Sequence, residues 1–288
     1  MVSLKRTLPL VAMLGLAAFS QAWIDTGHML IATIAERGLK PKALAEAERL
    51  LKIGGDVKNA DFVTTSPWAD DVRRQRPETG PWHYIDYHFR TDGKPDANKP
   101  DAENAVWAID KFSAILKDKT KSDADRSEAL RFLIHFVGDI HQPLHATARD
   151  TDEHPTGDKG GNDFRITAPS VFAGMNRPPR NLHSFWDFGG GLFQGESRPL
   201  SADSKSRIDA LATKLTTEYP AKSFKKVGDL NPDDWAKESF ELSKTVVYDL
   251  QEGTTPSDAY VQKAQEVSGH RIALAGYRLA RLLNQLLG

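Results

Sequence analysis

The chain has 288 residues, no cysteine, and 38 Lys and Arg against 39 Asp and Glu. So even a balance excludes bulk electrostatic attraction to nucleic acid or membrane, and any polyanion has to be held by a local site. Without thiols there are no disulfides and no thiolate zinc sites, so a zinc ion here must use His, Asp and Glu.

Residues 1–22 read as a secretory signal peptide. Lys5 and Arg6 form a basic start, Leu8 to Ala18 is an uncharged apolar run, and Ser20 and Ala22 sit at the small-residue positions of a cleavage site. The run is shorter than the about 20 residues that span a bilayer. No membrane anchor is therefore expected after cleavage. The mature chain is expected to run from Trp23 to Gly288 as one domain, secreted or periplasmic. Losing Lys5 and Arg6 leaves 36 basic against 39 acidic residues, still near neutrality.

Helical signals fill the rest. "TGHMLIATIAERGL" carries apolar residues at helical spacing and ends on Gly38. "PKALAEAERLLK" opens on Pro41, and "SPWADDVRRQR" pairs Ser66 as a cap with Pro67 at the first helical position. Amphipathic helices are expected from Asp101 to Lys117, Ala124 to His141, Ser201 to Thr217, Pro232 to Gln251 and Ser257 to Leu287. "GNDFRI" is the one strand signal. Two segments lack regular signals, 147–161 and 168–181, and loops this long within a compact domain usually serve function. The fold class is all-α.

The chemistry concentrates in "HFVGDIHQPLH" (135–145). His135 and Asp139 are four apart and share a helical face. A His–Asp ion pair on a partly wet helix would account for them. The apolar flanks "RFLI" and "FVGDI" instead turn that face inward, where an imidazole and a carboxylate cost energy unless something pairs them, and a divalent cation would. Pro143 ends the helix, so His145 is aimed by a kinked turn. "NLHSFWDF" repeats the spacing with His183 and Asp187. "SPWADD" adds Asp70, "PWHYID" adds His83 in an aromatic, extended stretch, and "WIDTGH" adds His28. Clustered imidazoles and bridging carboxylates assemble two or more zinc ions.

Taken in order, "W…GH", "WADDVR", "WHYID", "LIHFVGDIHQPLH", "GGND" and "NLHSFWD" resemble the trinuclear-zinc nuclease family. That family includes fungal single-strand-specific nucleases, plant bifunctional nucleases and bacterial secreted relatives, within the phospholipase C/nuclease superfamily. The motifs run from Trp23 to Asp187, and the family's all-α fold suits the helical remainder. The resemblance implies three zinc ions. Asp70, His83, His135 and Asp139 would hold one, and His145, His183 and Asp187 a second, more open one. His28, a bridging Asp139 and the free amine and carbonyl of Trp23 would hold the third. Signal removal would then complete the site, since an amide nitrogen cannot coordinate.

The same resemblance implies hydrolysis of single-stranded DNA and RNA to 5′-nucleotides by a metal-activated hydroxide, with 3′-nucleotidase activity. Asp70 and Asp139 would organise the metals and Arg73 would assist the transition state. Tyr84 would stack on the base, Asp86 would bond its edge, and Asn162 would contact phosphate or water. A zinc-dependent phospholipase C is the alternative enzyme, and a periplasmic zinc-binding protein without catalysis is the alternative from another class. His141 is expected beside the ligands or at the surface. His88, His154 and His270 are expected at the surface or satisfied in the core. No obligate protein partner is indicated.

Overall fold

The computed structural model describes residues 23–96 and 98–288, so the expected signal peptide lies outside the described residues. Among these the architecture is helical: α1 (Asp25–Gly38), α2 (Pro41–Leu51), α3 (Trp68–Arg73), α4 (Ala105–Lys117), α5 (Asp123–Asp139), α6 (Leu182–Asp187), α7 (Ala202–Glu218), α8 (Pro232–Leu242) and α9 (Asp258–Leu287). Two short strands, β1 (His88–Phe89) and β2 (Ala148–Arg149), pair in parallel with His88 opposite Ala148. No described helix is long and apolar enough to cross a membrane.

Helix α9, 30 residues long, is the spine against which α1 packs. The two approach closely because Gly276 faces Ile34, where an added Cβ would stand 2.6 Å from the Ile34 side chain. Helix α5 threads between α1, α2, α4 and α9, and every residue from Ala129 to Asp139 is buried. A helix enclosed on all faces has no wet side, so its polar residues must be satisfied inside. Arg126 and Arg131 manage this with carbonyls: Arg126 Nε donates to Leu116 O at 3.1 Å and Arg131 Nη2 to Leu51 O at 2.8 Å. His135 and Asp139 are carried into the same interior.

Several expected boundaries move for identifiable reasons. Helix α4 begins only at Ala105, because Asn104 Oδ1 accepts the backbone N–H groups of Val106 and Trp107 and so starts the helix there. Helix α3 begins at Trp68 after Pro67, and Ser66 does not cap it, since its hydroxyl donates to Val63 O at 2.7 Å. Helix α8 stops at Leu242 and passes into a π-helical turn, Ser243–Val247. "GNDFRI" forms no strand beyond an isolated bridge between Arg165 and Asn181, and the strands β1 and β2 lie elsewhere.

Candidate metal centre

Three imidazoles are oriented by backbone carbonyls. His135 Nδ1 lies 2.7 Å from Ser66 O, His145 Nδ1 lies 2.8 Å from His83 O, and His183 Nδ1 lies 2.7 Å from Gly160 O. A carbonyl only accepts, so each Nδ1 carries a proton, and each ring, once neutral, presents a lone pair at Nε2. Metal-binding histidines are fixed in this way.

The Nε2 atoms converge. His145 Nε2 and His183 Nε2 stand 3.1 Å apart, and His183 Nε2 is 3.4 Å from Asp187 Oδ1. Burial, and then His183, push the His145 pKa down to about 3, so His145 is neutral near pH 7 and its Nε2 keeps a lone pair. Two ring nitrogens face each other beside a buried carboxylate. Burial also pushes Asp187 well above the ordinary carboxylate range, a shift opposed by the hydrogen bond from Gln142.

The second gathering centres on Asp139. His83 Nδ1 lies 2.9 Å and His135 Nε2 3.2 Å from Asp139 Oδ2, while His28 Nε2 is 3.3 Å from Asp139 Oδ1. Asp70 closes the ring at 3.7 Å from both His83 and His135. Burial opposes the charge of Asp139, but His135, His28 and His83 together hold it well below the usual carboxylate range. Even so, His28 Nδ1 and Nε2, Asp70 Oδ1, His83 Nε2 and Asp139 Oδ1 are buried without a hydrogen-bond partner. Orphaned nitrogen and oxygen donors in one spot fit divalent cations. Donor atoms lie close enough to share an ion in the groups His28–Asp70–His135, His83–His135–Asp139 and His145–His183–Asp187.

Trp23 is fully buried, and its indole Nε1 donates to Gly138 O at 3.1 Å, one residue from Asp139. Arg73 is buried with Nη1 4.0 Å from Asp70 Oδ1. It lines a cleft of about 580 Å³ together with Tyr84, Asp86, His145, Asn162 and His183. The structure thus brings the expected substrate residues to one opening over the cluster. Asn162 Nδ2 is used on Lys159 O at 2.8 Å. A smaller cavity of about 230 Å³ adjoins the cleft through Pro81, Tyr84 and Asp86.

Other expectations are corrected. His83 ends a 3₁₀ turn, Pro77–His83, rather than lying in extended chain, because Pro77 and Pro81 favour a tight turn. His141 is not at the surface. It is fully buried, with Nδ1 on Val137 O and Nε2 3.0 Å from Arg278 Nη1. Burial, with Arg271 and Arg278, holds it well below its ordinary pKa. Of the other histidines, His88 pairs with Asp150 at 2.7 Å, His154 stands 4.0 Å from Asp163, and His270 packs on Phe224. Sequence reading missed Gly160, whose carbonyl orients His183, and Gln142, which lies inside the quoted motif. The Gly160–Gly161 pair signals a left-handed turn, and both residues have positive φ.

The family model described as S1/P1 Nuclease matches residues 23–288. The chain is 28% identical over 282 residues to Endonuclease 2 of Arabidopsis thaliana, covering 92% of this chain and 91% of that protein. It is 28% identical over 295 residues to Nuclease P1 of Penicillium citrinum, covering 92% and 98%. To Nuclease S1 of Aspergillus oryzae it is 27% identical over 301 residues, covering 97% of each.

Proposed function

Since the chain belongs to the S1/P1 nuclease family, we propose that it hydrolyses single-stranded DNA and RNA to 5′-nucleotides and acts as a 3′-nucleotidase, using three zinc ions. The observation that carries the metal assignment is the convergence of His145 Nε2 and His183 Nε2, 3.1 Å apart, on buried Asp187. A divalent cation there would engage both imidazoles and the carboxylate at once. Asp70, His83, His135 and Asp139 would hold one ion, His145, His183 and Asp187 another, and His28, Asp139 and the mature amine of Trp23 the third. Bound ions would polarise a phosphate oxygen and make a water nucleophilic near neutral pH.

The chain's own side chains do the rest. Arg73, at the cleft wall beside Asp70, meets the charge that builds on the phosphoryl oxygens and the leaving 3′-oxygen. Tyr84 offers a ring to an unpaired base and Asp86 accepts from the base edge. Asn162 keeps its amide oxygen and one N–H for phosphate or water. Export through residues 1–22, with cleavage before Trp23, belongs to the same proposal. The test is metal analysis of the mature protein alongside turnover of single-stranded DNA, duplex DNA and phosphatidylcholine. Three zinc ions with single strands cut fastest supports the reading. Preferred turnover of the lipid, or bound zinc without hydrolysis, overturns it.

A further inference from the structure

Gln142 is fully buried and has no role as a ligand in the reading above. Its side-chain amide is fixed from both ends. Oε1 accepts the Leu144 N–H at 2.6 Å, and Nε2 donates to Asp187 Oδ1 at 2.8 Å. A backbone N–H only donates, so the amide cannot be flipped, and the group facing Asp187 must be the NH₂.

The turn that carries Gln142 is itself clamped, because its carbonyls are buried and cannot reach water. Ile140 O accepts the Ser239 hydroxyl at 2.6 Å, His141 O accepts Arg271 Nε at 3.1 Å, and Pro143 O accepts the Ser243 hydroxyl at 2.8 Å. Ser243 opens the π-helical turn after α8, and this irregular turn is where its hydroxyl meets Pro143 O. Asp187 is seated from its other side, since Ile24 N donates to its backbone oxygen at 3.1 Å. Between these two tied backbones the Asp187 side chain itself stays adjustable, above all in the rotation of its carboxylate about its last bond. The Gln142 N–H on Oδ1 sets that rotation.

We propose that Gln142 is a positioning residue: by holding Asp187 Oδ1 it turns the carboxylate toward His145 and His183, and so sets how tightly that cluster keeps its ion. The inference rests on the reading that this cluster holds a divalent ion. Hydrogen-bond partners of metal ligands typically shift affinity by about 10- to 100-fold.

The test uses the mature, zinc-loaded enzyme and its Gln142→Met variant, which keeps length and flexibility but has no donor and no charge. The release of zinc to a chelator is followed in time. The expected result is that one zinc equivalent leaves about 10- to 100-fold faster, with the others at parental rates. Asp187→Ala should lose that same equivalent. Adding Gln142→Met to Asp187→Ala should lower kcat/KM no further, the non-additivity that marks action through one residue. If Gln142→Met does not fold, Gln142→Asn, which keeps an amide but falls a methylene short, should give the same release pattern. Parental release rates overturn the proposal. So does equal loosening of every ion with a lower Tm of the metal-free protein, which would mean packing alone. A parent enzyme with no ion at His145, His183 and Asp187 would instead defeat the functional reading itself.

Discussion

His28 lies flat on His135, with ring centroids 4.0 Å apart and planes 13° apart. Two imidazolium rings could not be stacked so closely in a dry interior. The pair divides accordingly. Burial, and then His135, hold His28 below the ordinary 6.5. Burial opposes charge on His135 as well, but Asp139 and Asp70 outweigh it and raise its pKa to about 9. In enzyme stripped by a chelator, His135 should therefore be protonated at pH 7.5, and returning zinc should displace that proton. Titration of zinc into stripped enzyme in two buffers of different ionisation enthalpy should show net proton release at pH 7.5. As the folded pKa is the raised one, this group's contribution to the stripped protein is complete below 6.5 and fades as pH climbs through 9. Buffer-independent heats would show that His135 is already neutral.

Gly160 should tolerate no side chain. Its φ is +60°, a Cβ there would meet Leu144 O at 2.4 Å, and its carbonyl orients His183. Gly160→Ala adds about 1–3 kcal/mol of backbone strain and a clash that moves the carbonyl away from His183 Nδ1. A fall in Tm together with weaker retention of one zinc is expected. A variant with parental Tm and parental metal retention would show that the loop relaxes without disturbing His183.

Tyr84 should separate nucleotides from simple esters. It lies on the cleft wall with Asp86 and is only half-buried, so its ring is available for stacking. Losing one base stack costs about 1–3 kcal/mol. Tyr84→Ala should thus raise KM for single strands by roughly 10-fold or more, leave bis-p-nitrophenyl phosphate hydrolysis near parental, and narrow the preference for single over double strands. Equal losses on both substrates would return Tyr84 to a packing role.

What could be read from the sequence follows from how local each relationship is. His135–Asp139 and His183–Asp187 are legible because helical period puts residues four apart on one face, and both pairs do lie on helices. Asp70, His83 and His145 were recognisable by motif and resemblance, although nothing local puts them together. The carbonyls of Ser66, His83 and Gly160 were invisible, since every residue carries a carbonyl and only the fold decides which one meets a ring. His141 shows the same limit. Period alone takes it off the ligand face, but its partner Arg278 is 137 residues away on α9. The 147–161 loop is organised by Asp158, which accepts from Arg149 N and Gly161 N within the loop and from the Tyr248 hydroxyl 90 residues away, a tie that composition does not encode.

Asp86 should make base recognition pH-dependent. Burial raises its pKa from the ordinary 3.8 to about 7, with Asp158, Asp101 and Asp150 adding to the rise and His88 opposing it. Above pH 7 the carboxylate accepts from donor edges such as the adenine amino group, and below it the added proton takes its charge, turns one oxygen into a donor and weakens that acceptance. KM for adenine nucleotides should rise as pH falls through 7, and Asp86→Asn should flatten the profile. The stability effect has the opposite sense. The unfolded chain ionises first, so parent stability should decline from pH 4 to 7 relative to Asp86→Asn. Parallel KM profiles for the two proteins would remove Asp86 from the base site.

The mature N-terminus should matter more than any single side chain outside the ligand set. Trp23 is held independently of its amine. Its indole donates to Gly138 O, its Cβ sits where a side chain at Gly27 would have to go, 2.5 Å away, and its ring meets Phe193 edge-on. Ile24 N, the next backbone group, donates to Asp187 O at 3.1 Å. The side chain therefore anchors this end of the chain beside Asp139 and His28, whatever precedes it. If the free amine of Trp23 is the remaining ligand of the His28–Asp139 ion, one extra residue converts it into an amide and withdraws its lone pair, while the indole seat and the helices persist. Enzyme beginning one or more residues before Trp23, or tagged there, should keep a native helical spectrum yet lose much of its activity. Its metal count should fall from three towards two, and a protease that exposes Trp23 should restore both. Full activity and three zinc ions in the extended protein would show that the amine is no ligand, and that His28 and Asp139 hold their ion by other means.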